Sequence, residues 1–136
     1  RGDGARLNNR RIRVSSRKSM RGALLSTGIP FKVGQEDLMN TYIQTLKALN
    51  PGTAGVRRQG AAALDLAYVA AGRYDGFWEF GLKPWDMAAG ALLIQEAGGL
   101  ASGMTGANDY FETGDIVAGN PKVFKEMLQR LHPIMK

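Results

Sequence analysis

The 136-residue chain contains no cysteine and one histidine, His132. The first absence removes disulfides, a thiol nucleophile and every Cys-ligated zinc or iron–sulfur site. The second leaves too few imidazoles for a histidine metal cluster and argues against a Ser-His-Asp triad. No apolar run approaches the roughly 20 residues that a membrane-spanning helix requires. Any catalysis must therefore rest on carboxylates, backbone amides or a hard metal ion. A cytoplasmic location without a membrane partner is the expectation.

What is present is ordinary for a globular domain. Hydrophobic residues make up 44% of the chain and charged residues 22%, which argues against disorder and for a packed core. A single domain spanning 1–136 is expected. The net charge of +6 is unevenly placed: residues 1–21 carry eight bases and one acid, Asp3, and the remainder sums to −1. A basic stripe of this kind can attract phosphate backbones, so RNA is one expected partner. The stripe has no interleaved aromatic residue for base stacking, and the alternative is a solvated strand pair or an interface.

Hydrophobic periodicity predicts an ordered series of elements. Short strands are expected over 11–14, 23–27, 56–58, 75–80, 100–102 and 116–118. Helices are expected over 35–49, 61–71 and 84–97, and a last one begins at Asn120-Pro121 with Val123, Phe124, Met127, Leu128 and Leu131 on its apolar face. The alternation predicts an α/β fold, a mixed β-sheet with helices packed on it. Residues 1–10 and 103–115 are the expected mobile segments, and the glycine pairs at 52–55, 98–99 and 103–106 read as turns.

Three features carry chemistry. Asp86 follows Pro84-Trp85 and falls in the first turn of its expected helix, where unpaired N–H groups and the helix dipole favour an ionised carboxylate. Trp85 reads as an anchor for that turn, and Ala88, Ala89 and Gly90 as small residues that let the helix lie close to its neighbours. Gly60-Ala61-Ala62 opens another helix with side chains too small to shield the backbone N–H groups from an oxygen-rich ligand. Glu79 sits at the carboxyl end of its strand, on the edge where α/β sheets gather ligands. Two carboxylates facing an amide cluster suit a hydroxylated, phosphorylated ligand and a hard cation such as Mg2+.

The run GAAALDLAYVAAGRYDGFWEFGLKPWDMAAGALLIQEAGG, with Trp-Asp-x-Ala-Ala-Gly followed by Glu-Ala-Gly-Gly, resembles the C-terminal signature of the inositol monophosphatase family. The flanking ARLNNRRIRVS and DIVAGNPKVF are similar to the same family, especially its bacterial extragenic-suppressor type. The resemblance implies the C-terminal domain of a layered αβαβα sugar-phosphatase fold, and Mg2+-dependent hydrolysis of inositol monophosphate. It implies that Asp86 is a metal ligand, that Glu79 holds a ring hydroxyl, and that the backbone of Gly60, Ala61 and Ala62 contacts substrate. Ala61 stands where many relatives carry Ser or Thr, so a hydroxyl contact is missing. Arg57 is expected to border the substrate entrance or a dimer surface. A sugar bisphosphate or a nucleotide phosphate is the alternative substrate within the same superfamily, and the bacterial type carries the implication of a regulatory role.

The family also carries a pair of adjacent glutamates and an Asp-Pro-x-Asp-Gly-Thr stretch that supply the remaining metal ligands; neither occurs in this sequence. The chain is therefore expected to represent the later half of a family member and to be inactive alone. The apolar face uncovered by the missing half is expected to favour a homo-oligomer.

Overall fold

A computed structural model of the chain describes residues 4–30 and 33–135. Among the described residues, seven strands and five helices follow in the order β1 (Arg6–Leu7), β2 (Arg10–Arg11), β3 (Leu24–Thr27), α1 (Glu36–Leu49), β4 (Gly55–Arg57), α2 (Ala62–Ala70), β5 (Gly76–Glu79), α3 (Pro84–Glu96), β6 (Leu100–Ser102), α4 (Tyr110–Thr113), β7 (Ile116–Gly119) and α5 (Pro121–Met135). Five of the strands form one sheet in the order β4-β3-β5-β7-β6. Strands β4, β3 and β5 run parallel, and β7 is antiparallel to both β5 and β6. The mixed α/β sheet expected from the alternation is the observed one.

Period-two alternation sorts the sheet's side chains into two cores. Phe77, Ile116 and Ala118 face α2 and α3, where they meet Leu66, Val69, Met87 and Ile94. Leu25, Trp78 and Val117 face α1 and α5, where they meet Tyr42, Leu49, Val123, Met127 and Leu131. Trp78 donates its indole N–H to Thr45 Oγ1 at 2.9 Å and stacks on Tyr42. This is the partner that a buried indole needs. Among the described residues, no helix is long and apolar enough to cross a membrane.

Helices α2 and α3 lie against each other because Gly90 has no side chain. A Cβ at Gly90 would sit 2.5 Å from Leu66 Cβ. Ala88 and Ala89, by contrast, are exposed and take no part in that close approach. Gly90→Val is accordingly expected to destabilise the chain by about 3 kcal/mol, since overpacked core sites relax only by shifting backbone. Urea denaturation should show a lower midpoint at unchanged slope.

Two expectations fail locally. The stretch 11–14 is not a strand: β2 ends at Arg11, paired with β1 across Asn8 and Asn9, whose φ values of 51° and 64° make a two-residue hairpin turn. Beyond Ile12 the chain leaves the ladder, and Val14 donates its N–H to Ala97 O at 3.0 Å and packs beside Gly99. Alternation in Arg11-Ile12-Arg13-Val14 marks a half-buried extended strap, not a paired strand. The segment 103–115, expected to be mobile, contains the one-turn helix α4, with Tyr110 buried and Gly114 at φ 80° closing it.

The strap is stitched across the amino ends of the sheet. Asp75, just before β5, accepts hydrogen bonds from the Ser15 hydroxyl, from Arg17 Nε at 3.2 Å and from the Leu24 N–H at 2.7 Å. Asn120, ahead of α5, donates to Ser15 Oγ and Arg17 O and accepts from the Val123 N–H. Met20 N–H reaches Glu126 Oε1 at 2.8 Å.

Candidate functional site

The carboxyl ends of β3 and β5 and the amino ends of α2 and α3 meet around a cleft of about 200 Å³. Its lining includes Gly60, Ala61, Ala62, Glu79 and Asp86, so the five residues singled out from the sequence stand together. Gly28, Ile29, Arg58 and Leu82 complete the wall. Arg57 lies elsewhere, in a polar cleft at the amino end of the sheet with Arg17, Arg73 and Asp75, and its neighbour Arg58 takes the place beside the site.

Each side chain is positioned by an identifiable local device. Asp86 is the third residue of α3, and its Oδ2 accepts the Lys83 N–H at 2.9 Å. This cap uses one carboxylate oxygen and satisfies a helix-start donor. Gly60 has φ +84°, a backbone that L side chains rarely adopt, and it turns the chain so that α2 starts at Ala62. Ala61, as the residue before α2, offers no side-chain cap. The first-turn amides of α2 are thereby left for solvent or a ligand. Trp85 does not anchor the α3 turn: it is 76% exposed. The anchor is its neighbour Met87, which is fully buried.

Glu79 is the most perturbed of these groups. Burial, then Asp65 and Asp86, push its carboxyl up to about 7, and Arg58 opposes them. Asp65, one turn into α2, is 1% exposed; its Oδ1 accepts the Ser26 hydroxyl at 2.6 Å. The other oxygen, Oδ2, is buried with no hydrogen-bond partner among the described residues. Burial raises this carboxyl also, against the Ser26 bond.

A carboxyl whose folded-state pKa is raised binds its proton more tightly in the folded state. The contribution of Glu79 to stability is therefore fully present at low pH and is lost as pH rises from the ordinary glutamate value of 4.5 through about 7. Glu79→Gln should unfold at a higher temperature than the parent at pH 8 in the presence of a chelator, and show no such advantage at pH 4. Thermal unfolding at the two pH values measures it; an equal shift at both would remove the linkage.

Gly28, Arg58 and Asp65 belong to this environment without having been singled out. Gly28 follows the strand expected over 23–27, and Arg58 closes the one expected over 56–58. Asp65 carried a signal: it is the lone acid in an alanine-rich helix, three residues after Ala62. Among the described residues, no group of three or more His, Cys, Asp or Glu side chains is placed to hold a metal ion. Asp86 can furnish one hard oxygen donor, which suits Mg2+, but an octahedral ion needs several.

The sequence profile of the inositol monophosphatase family matches residues 1–135. The chain is 62% identical over 133 residues to the Nus factor SuhB of Pseudomonas aeruginosa, covering 98% of this chain and 49% of that protein. It is 54% identical over 131 residues to the Nus factor SuhB of Escherichia coli K12, covering 96% and 48%. Among solved structures, the extragenic suppressor protein suhB of Bartonella henselae superposes with a TM-score of 0.90 at 45% identity, over 96% of this chain and 50% of the other. The inositol monophosphatase of Anabaena gives 0.88 at 39% identity, over 97% and 52%. The chain thus spans about half the length of the relatives it matches. Profile, sequence and fold agree, and the chain belongs to the inositol monophosphatase family.

Proposed function

We propose that the full-length protein hydrolyses a phosphate monoester of a polyol, with inositol monophosphate as the substrate. The observation that carries this reading is the convergence of Glu79, Asp86 and the opening of α2 on one cleft. Glu79 holds a ring hydroxyl, and its raised carboxyl lets it accept or donate that hydrogen bond near neutrality. The amides at Ala61 and Ala62 meet a substrate oxygen at the start of α2, where the helix dipole favours negative charge.

Asp86 would contribute one carboxylate to a bound Mg2+, whose remaining ligands would have to come from outside this chain. When bound, such an ion lowers the pKa of water and neutralises phosphoryl charge. The residues of this chain orient the alcohol: Glu79 fixes the ring from one wall while the α2 turn fixes it from the other. Orientation of this kind lowers the barrier by removing rotational freedom in advance. Phosphate release by the full-length protein from inositol 1-phosphate, against a sugar bisphosphate and a nucleotide 3′-phosphate, tests the assignment. Preference for either alternative would reassign the substrate, and no release in millimolar Mg2+ would remove the enzyme reading.

A second reading is favoured by the exposure of Arg6, Arg10, Arg11, Arg13, Arg17, Lys18 and Arg21, all at the surface on the hairpin and strap. The relatives named Nus factor fit a role in a transcription complex, with RNA phosphates as the contact. Charge reversal of Arg10, Arg11, Arg13 and Arg17 should abolish salt-sensitive RNA binding; unchanged binding would exclude the basic face as the contact. A homo-oligomer is proposed on separate grounds. Leu64 on α2 and Leu92 on α3 are about 40% exposed, and Ala88 and Ala89, one helical turn before Leu92, are exposed too; apolar side chains left at the surface favour association.

A further inference from the structure

The residue that gives Glu79 its place lies on the neighbouring strand. The parallel register of β3 and β5 sets Ser26 opposite Phe77 and Thr27 opposite Trp78. Continued by one residue, it sets Gly28 beside Glu79. Gly28 is absent from the positive-φ glycines, so no left-handed backbone reserves the position for glycine. Space is what forbids one: a Cβ at Gly28 would overlap the Glu79 carboxyl carbon and both of its oxygens. The carboxylate lies over the β3 backbone, in the volume that a side chain would fill. Asp65, Asp86 and Arg58 are its charged neighbours, the two acids raising its pKa and the arginine lowering it.

We infer that Gly28 is a specificity-determining position: by lacking a side chain it forms the berth of the Glu79 carboxylate and so fixes where a substrate hydroxyl is held relative to Asp86. This rests on the reading of Glu79 as the hydroxyl-holding residue. A side chain at 28 moves the carboxylate and leaves the first turn of α3 untouched. Esters with hydroxyls near the phosphate then lose their grip, whereas esters without them lose far less.

The test uses the full-length protein with inositol 1-phosphate and with phenyl phosphate, which offers Glu79 no hydroxyl. For Gly28→Ala, kcat/KM on the inositol ester should fall about 10- to 100-fold, mainly through KM, and the loss should exceed that on phenyl phosphate by about tenfold. Glu79→Gln should reproduce the selective loss, and the double variant should be no worse than Glu79→Gln alone. Equal losses on both esters, or losses that add in the double variant, overturn the inference. Should Gly28→Ala fail to fold, Gly28→Ala combined with Glu79→Asp replaces it, because the shorter acid withdraws from the added methyl. That pair should fold and match Glu79→Asp alone; unfolding or a further loss overturns the berth. If Glu79→Gln leaves the inositol ester unaffected, the underlying reading of Glu79 fails, a result separate from a Gly28→Ala that is silent while Glu79→Gln is not.

Discussion

Asp86→Asn in the full-length protein is expected to lower phosphate release by about three orders of magnitude, with little change in thermal stability. The loss follows from removing one anionic donor where an ion and a phosphoryl group meet, a type of electrostatic loss worth about 100- to 1000-fold or more in rate. Stability is spared because the asparagine carbonyl still accepts the Lys83 N–H that Asp86 Oδ2 accepts at 2.9 Å. Asp86→Ala removes that acceptor as well and should cost about 1 kcal/mol of stability. Turnover and unfolding measured on both variants separate the two roles of one carboxylate. Retained turnover in Asp86→Asn would show that the charge at this position does not serve the reaction.

The second large effect concerns the chain by itself. With one hard donor at Asp86 and no group of three ligating side chains among the described residues, it should bind Mg2+ at least about 100-fold more weakly than the full-length protein. It should also release no phosphate above background. Calorimetric titration with Mg2+ and a phosphate assay measure both; micromolar affinity in the isolated chain would mean that its own residues complete the coordination.

The sequence was most legible where periodicity and chain geometry coincide. Alternation over 75–80 announced a buried strand because Phe77 and Trp78 point into opposite cores, and Pro84 announced the start of α3 because its fixed φ suits a first helical turn. Glu79 and Asp86 could be placed on one edge because α/β connectivity brings strand ends and helix starts together. What stayed hidden depends on contacts distant in sequence. Val14 alternates like a strand residue, yet its N–H goes to Ala97, a partner that no local pattern names. Trp85 looked like an anchor because indoles usually are; the neighbouring Met87 takes the inward direction, and the ring is left outside. Gly28 looked like punctuation after a strand, because nothing in its own segment reveals that the Glu79 carboxylate lies above it.

The stitched strap also dictates an order of events at the ribosome. Ser15 and Met20 emerge before their partners Asn120 and Glu126, which lie 105 and 106 residues further along. At about 5–20 residues per second, that interval lasts roughly 5 to 20 s. Through it the strap waits without its bonds to Asn120 and Glu126.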